Sequence, residues 1–146
     1  MIYTPLTKKA LKLCFDAHKD QVDKTGIPYV FHPFHLAEQM NDEISTVCAL
    51  LHDVIEDTEY TFADLSEMGF PEAVIEVLRL LTHESDVSYM DYVEKISHNP
   101  IATRVKLADL RHNSDTSRMD EMDEWAIKRN EKYLRAIDFL MGAFNG

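Results

Sequence analysis

Residues 46–58 read TVCALLHDVIEDT, an apolar run that passes without a break into one histidine and three carboxylates. TVCALL is hydrophobic almost all round, the mark of a helix buried on every side rather than one lying on a surface. On a wheel of about 100° per residue with His52 at zero, Asp53 falls at about 100°, Glu56 at about 40° and Asp57 at about 140°. Val47, Leu51, Val54 and Ile55 take the opposite side. Ala49 lies inside the polar arc, where its small side chain leaves room for an approaching group. One helix over 43–56 with two unlike faces is therefore expected, capped by Asn41 or Asp42.

Working outward, Thr4 and Pro5 open a helix to about Asp20, with Leu6, Ala10, Leu13, Cys14 and Ala17 along its apolar stripe. QVDKTGIPYVFHP, residues 21–33, breaks it with Gly26, Pro28 and Pro33, and a short helix follows over 33–40. Thr61 and Asp64 form a variant capping box for a helix through Met68, which Gly69 ends. Pro71 begins a helix to about Leu81, Ser88 leads into one ending near His98, and Asn99-Pro100 precedes another from Ile101 to Arg111. The last helix is expected over 122–143, with Trp125 in its first turns. The chain carries no internal repeat, linker or low-complexity segment. With only 4 Gly and 5 Pro in 146 residues, the pattern indicates an all-α fold. It is expected to be a single domain over 1–146, a helical bundle of about seven helices.

A net charge of −11 argues against nucleic-acid binding, which needs a basic face. An anionic substrate remains compatible with that charge if a bound cation supplies local positive potential. No stretch reaches the length of a membrane span, and the first residues lack the apolar core and cleavage site of a signal peptide. Cys14 and Cys48 sit in the apolar contexts LKLCF and TVCALL, as buried free thiols of a reducing compartment do. A cytoplasmic location is the expectation.

Three carboxylates within five residues repel one another, and burial raises that cost unless a cation sits among them. His52 and Asp53 offer one nitrogen and one oxygen ligand, while Glu56 and Asp57, a turn on, can reach a water held by the metal. Two ligands are half a site. His32, beside Pro33 in VFHPF, and Asp109, on the otherwise apolar VKLADL, are the candidates for the other half. Asn113 lies at about 40° from Asp109 on a helix and can bond a ligand of the metal. Each has a plainer alternative: a solvated acidic face, a core His32, a capping Asp109. His18, His35, His83, His98 and His112 lack a companion at ligand spacing and read as structural or surface residues.

PYVFHPFHLA (28–37), ALLHDVIEDT (49–58) and VKLADLRHN (105–113) resemble, in order and spacing, the hydrolase domain of the RelA/SpoT family and its small stand-alone homologues. That domain lies within the HD superfamily of metal-dependent phosphohydrolases. The resemblance covers about residues 6–119. It implies an HD-type domain that removes pyrophosphate from the ribose 3′ position of ppGpp and pppGpp. It further implies His32, His52, Asp53 and Asp109 as ligands of Mn²⁺, or of another divalent metal, with Glu56 and Asp57 positioning and deprotonating the attacking water. Asn113 and Thr116 match residues at the substrate, and Lys24 a basic residue of the pocket. Lys106, which shares a helix face with Asp109, is a further candidate for the phosphates, with Arg104 and Arg111 behind it.

Asp23 and Asp115 stand where the family usually has arginines, the first of them an Arg that stacks on guanine. Their charges are expected to weaken the binding of an anionic nucleotide. The implied partner is a small-molecule nucleotide, with no nucleic acid and no membrane. The alternatives are an HD-type phosphohydrolase acting on a different nucleotide and a catalytically silent helical module.

Overall fold

The structure, a computed structural model, describes residues 1–145, with side chains through Ala143. Its elements are α1 (Pro5–His18), α2 (Phe31–Glu38), α3 (Glu43–Leu51), α4 (Val54–Asp57), α5 (Phe62–Glu67), α6 (Glu72–Leu81), α7 (Tyr89–Ser97), α8 (Pro100–Asn113), a 3-10 turn (Thr116–Arg118) and α9 (Glu124–Asn145). Among the described residues there is no strand, only an isolated antiparallel bridge between Val22 and Pro28. The all-α expectation holds. Among the described residues the α-helices number nine, against about seven expected for the bundle and eight segments laid out along the chain; the one beyond those eight arises because 43–56 divides in two.

That division is the main local correction. The Asp42 side chain accepts from the Ser45 amide and starts α3, as the sequence suggests. The α-helix stops at Leu51, however, and Asp53 leaves it at φ −107, ψ 2 before α4 begins. His52 and Asp53 therefore occupy a joint between two helices. A second shift concerns α2, which starts at Phe31 rather than Pro33. Proline is tolerated there because the first turn of a helix leaves its N–H groups without intrahelical partners. His32 thus sits on helical backbone, not in an irregular segment.

Every residue from Ser45 to Leu51 is buried, so TVCALL forms the axis of the bundle. Helices α1, α2, α6 and α8 surround it, and α9 closes the outer side over α7 and α8. Leu36, Leu50, Leu51, Leu65, Ile75, Leu78, Ile96, Leu110 and Leu140 are the large side chains of one continuous core. Caps follow the sequence signals: Thr4 and Thr7 cap each other's backbone at α1, Thr61 and Asp64 do so at α5, and Ser88 caps α7. Cys14 and Cys48 are buried free thiols, and burial pushes Cys14 up to about 12. No helix among the described residues is long and apolar enough to cross a membrane.

Between α1 and α2 the chain folds into a tight hairpin. The Asp23 amide donates to Ile27 O at 2.8 Å and the Tyr29 amide to Gln21 O at 2.9 Å. Gly26 takes the left-handed φ of 85° that this reversal requires. The hairpin carries Asp23, Lys24, Thr25 and Tyr29 to the mouth of the site.

Candidate metal centre

The buried end of α3 supplies the first ligand. His52 Nδ1 donates to Ala49 O at 2.7 Å, which leaves Nε2 as the bare lone pair. That Nε2 is buried and has no hydrogen-bond partner, although Asp53 Oδ2 and Asp109 Oδ1 lie 2.9 and 3.5 Å away. From α2, His32 Nε2 approaches Asp109 Oδ1 at 2.9 Å. One donor atom each from His32, His52 and Asp109 fall within 4.8 Å of one another. A buried lone pair without a hydrogen bond, beside a second imidazole and a carboxylate, is a donor set that suits a divalent metal.

The surroundings hold these ligands by their other atoms. Lys106 Nζ grips Asp109 Oδ2 at 2.9 Å and Asn113 Nδ2 donates to Asp109 Oδ1 at 2.9 Å. Burial alone raises the pKa of Asp109, but Lys106 and the histidines overcome it and keep the carboxyl well below its usual range. Asp53 goes the other way: burial, then the charges of Asp109 and Asp57, hold it well above 3.8. The Tyr29 hydroxyl donates to Asp53 Oδ2. Four acidic groups, Asp53, Glu56, Asp57 and Asp109, thus share the centre with one buried lysine, an excess of negative charge that suits a cation.

The acidic pair sits on α4, at the edge of the open space. Glu56 accepts from the backbone N–H of His83, which ties it to the end of α6. The pKa of Asp57 is raised by burial, against the pull of His18 and His52. Both line a cavity of about 850 Å³, together with His32, Asn113 and Tyr29. Lys24, Arg118, Arg129 and Tyr133 form other parts of its wall. Lys24 Nζ lies 4.3 Å from the centre of the Trp125 ring and the Arg129 guanidinium 4.6 Å from it, so one exposed aromatic holds two cations at the cavity edge.

His32, His52 and Asp109 come together as expected, and Asp53 reaches the cluster at the His52 end, with one oxygen engaged by Tyr29. Glu56, Asp57, Lys24 and Asn113 lie where the sequence put them, and Asn113 does bond a candidate ligand. Two of the candidates stand away from the large cavity. Lys106 is spent on Asp109 inside the protein and is not part of the large cavity wall. Thr116 is exposed at the start of the 3-10 turn and is not part of that wall either. Of the lesser candidates, Arg104 pairs with Asp42 at 2.8 Å and Arg111 meets the sulfur of Met141, so neither serves the cavity.

The two family departures also read differently in three dimensions. Asp23 accepts from the Thr25 amide at 2.8 Å, the Thr25 hydroxyl at 2.6 Å and the Ile27 amide at 3.1 Å. It also pairs with Arg118 at 3.0 Å, so its charge is committed rather than aimed at a ligand. Asp115 caps the 3-10 turn through Ser117. Tyr29, His112, Arg118, Arg129 and Tyr133 were not legible as site residues. The spacing of Trp125, Arg129 and Tyr133, four apart along one helix face, is the one signal that could have found part of this wall.

No family model matches the chain. Over 124 residues, 75% of its length, it is 32% identical to the bifunctional (p)ppGpp synthase/hydrolase SpoT of Escherichia coli (strain K12). It is 30% identical over 121 residues to a guanosine-3′,5′-bis(diphosphate) 3′-pyrophosphohydrolase of Aquifex aeolicus, and 35% identical over 136 residues to a GTP pyrophosphokinase of Myxococcus xanthus. The chain spans only 17–18% of the length of these relatives. Among solved structures, a metazoan ortholog of SpoT, described as hydrolysing ppGpp and acting in starvation responses, superposes with a TM-score of 0.76 at 23% identity. That match covers 100% of this chain and 89% of the other, and it establishes the fold.

Proposed function

We propose, for a chain homologous to the SpoT-type (p)ppGpp hydrolases, that it hydrolyses the 3′-pyrophosphate of ppGpp or a related nucleotide with a divalent metal, Mn²⁺ foremost, held by His32, His52, Asp53 and Asp109. The observation that carries this reading is His52, whose Nδ1 is committed to the Ala49 carbonyl while its buried Nε2 faces Asp109 without a partner. Names of relatives support the substrate. When bound, the metal supplies a Lewis acid for a phosphoryl oxygen and lowers the pKa of a water.

The chain's own residues do the rest. Lys106 and Asn113 fix Asp109 by both oxygens, so the ligand needs no reorganisation. Asp57, with its raised proton affinity, and Glu56, fixed by the His83 amide, stand at the cavity to accept the water's proton. Lys24 and Arg129 give the cavity cations for a pyrophosphate, while Arg118 beside them is paired with Asp23. A different nucleotide is the second reading, and the Asp23–Arg118 pair favours it. The cation at this wall comes from the 3-10 turn instead of the hairpin, which alters the surface a base meets.

Purified protein with Mn²⁺ is expected to release pyrophosphate from ppGpp within a panel of nucleotides. Turnover of another member of the panel and none of ppGpp selects the second reading. Inertness towards every member, with metal bound at one equivalent, sinks both.

A further inference from the structure

Both histidines of the centre have their Nδ1 atoms engaged, but by partners of different kinds. His52 Nδ1 faces the Ala49 carbonyl, which only accepts, so its tautomer is fixed with Nε2 free. His32 Nδ1 faces His112 Nδ1 at 2.7 Å, and an imidazole nitrogen can give or take the proton. The two rings are tilted by only 10° with centroids 4.9 Å apart. Nitrogens that approach so closely at that centroid separation place the rings edge to edge, nearly in one plane, rather than face to face. This is the geometry of a hydrogen bond, not of stacking. His112 comes from α8, is half-buried, and its ring centroid lies 4.4 Å from that of His35. Its carbonyl accepts from Arg118 Nη1 at 2.6 Å, which steadies the residue at the end of the helix.

We propose that His112 is the positioning residue that orients His32, accepting from its Nδ1–H so that Nε2 is the atom presented to a divalent metal. The inference rests on the reading of His32 as a metal ligand and concerns no nucleotide. The 2.7 Å separation fits one hydrogen bond between the two Nδ1 atoms, and it turns His32 Nε2 towards Asp109 Oδ1, 2.9 Å away. A neutral His32 that donates from Nδ1 keeps its Nε2 lone pair for a cation, and His112 holds the ring as partners of metal-bound histidines do.

Titration of the whole protein with Zn²⁺, a diamagnetic probe, tests this by metal affinity and by imidazole nitrogen NMR. His32 in the Zn²⁺-loaded protein is expected to carry its proton on Nδ1, with a nitrogen–nitrogen coupling across the bond to His112 Nδ1. His112→Phe, which cannot accept, is expected to bind Zn²⁺ about 10- to 100-fold more weakly. His112→Asn, whose amide oxygen can accept, stays close to the parent. A Zn²⁺-loaded His32 without that coupling overturns the proposal, as does parental affinity in His112→Phe. If the Phe variant does not fold, the NMR of the unaltered protein decides alone. A parent protein that takes up no divalent metal removes the metal centre itself, and this inference with it.

Discussion

Asp23 Oδ2 lies 3.0 Å from Arg118 Nη2, across 95 residues of sequence, and bolts the hairpin after α1 to the 3-10 turn after α8. The pair is largely shielded, with side-chain exposures of 13% and 19%. A double-mutant cycle of Asp23→Ala and Arg118→Ala is expected to show a coupling of about 1.5–3 kcal/mol, as for a hydrogen bond between charged groups. Urea unfolding of the four proteins measures it. Additive effects would show that the two residues act independently.

The same carboxylate gives a pH signature. Burial works against its charge, but bonds from Thr25 and Ile27 and the Arg118 guanidinium prevail and hold the folded pKa below 3.8. A depressed folded value means stability present above the unfolded pKa and lost as pH falls through the folded one. The stability advantage over Asp23→Asn is therefore expected to be full at neutral pH and to close only below 3.8. Unfolding of both proteins from pH 7 down to pH ~2 reads this out. An advantage independent of pH would assign it to shape rather than charge.

Lys106→Met leaves Asp109 as a buried carboxylate without its counter-charge. Loss of one partner of such a pair costs about 3–5 kcal/mol. That deficit is expected in metal-free protein and should shrink when Mn²⁺ saturates the site, because the cation takes over the neutralisation. Thermal unfolding with and without Mn²⁺ compares the two, and an unchanged deficit would argue against Asp109 as a ligand.

Glu56→Gln keeps the size of the side chain and removes its basicity. Mn²⁺ affinity is expected to hold, while kcat for pyrophosphate release falls about 10²- to 10⁴-fold. Full activity would leave Asp57 as the sole base.

Arg129→Ala removes a cation of the cavity wall. KM is expected to rise about tenfold, equivalent to about 1.4 kcal/mol, with kcat little changed. Steady-state kinetics at saturating metal distinguish this from a loss of chemistry.

The sequence revealed what repeats locally. Apolar periodicity located the helices, capping residues their starts, and the all-round hydrophobicity of TVCALL its place on the axis. The wheel over 46–58 grouped His52, Asp53, Glu56 and Asp57 but assumed one helix, whereas the chain leaves the helix at Asp53. At that break His52 Nδ1 donates to Ala49 O three residues back, a local arrangement that residue type does not announce. Lys106 looked like a phosphate ligand because it shares a face with Asp109. Its Nζ is engaged by the Asp109 carboxylate, and the wheel that puts the two on one face cannot say what that face meets. Tyr29, His112 and Arg118 were missed because their partners lie 24, 80 and 95 residues away.

His52 hangs from the end of the most deeply buried helix, while the hairpin and α9 line the large cavity from separate stretches of chain. Opening of the α3 backbone to solvent requires the whole bundle to come apart, so amide exchange there should track global unfolding, whereas the hairpin amides can exchange by local opening. His52 and the hairpin wall of the cavity thus belong to parts of the molecule with different mechanical lifetimes. Substitutions in the hairpin and along the last helix can reshape the cavity mouth while the helix that carries His52 stays as it was.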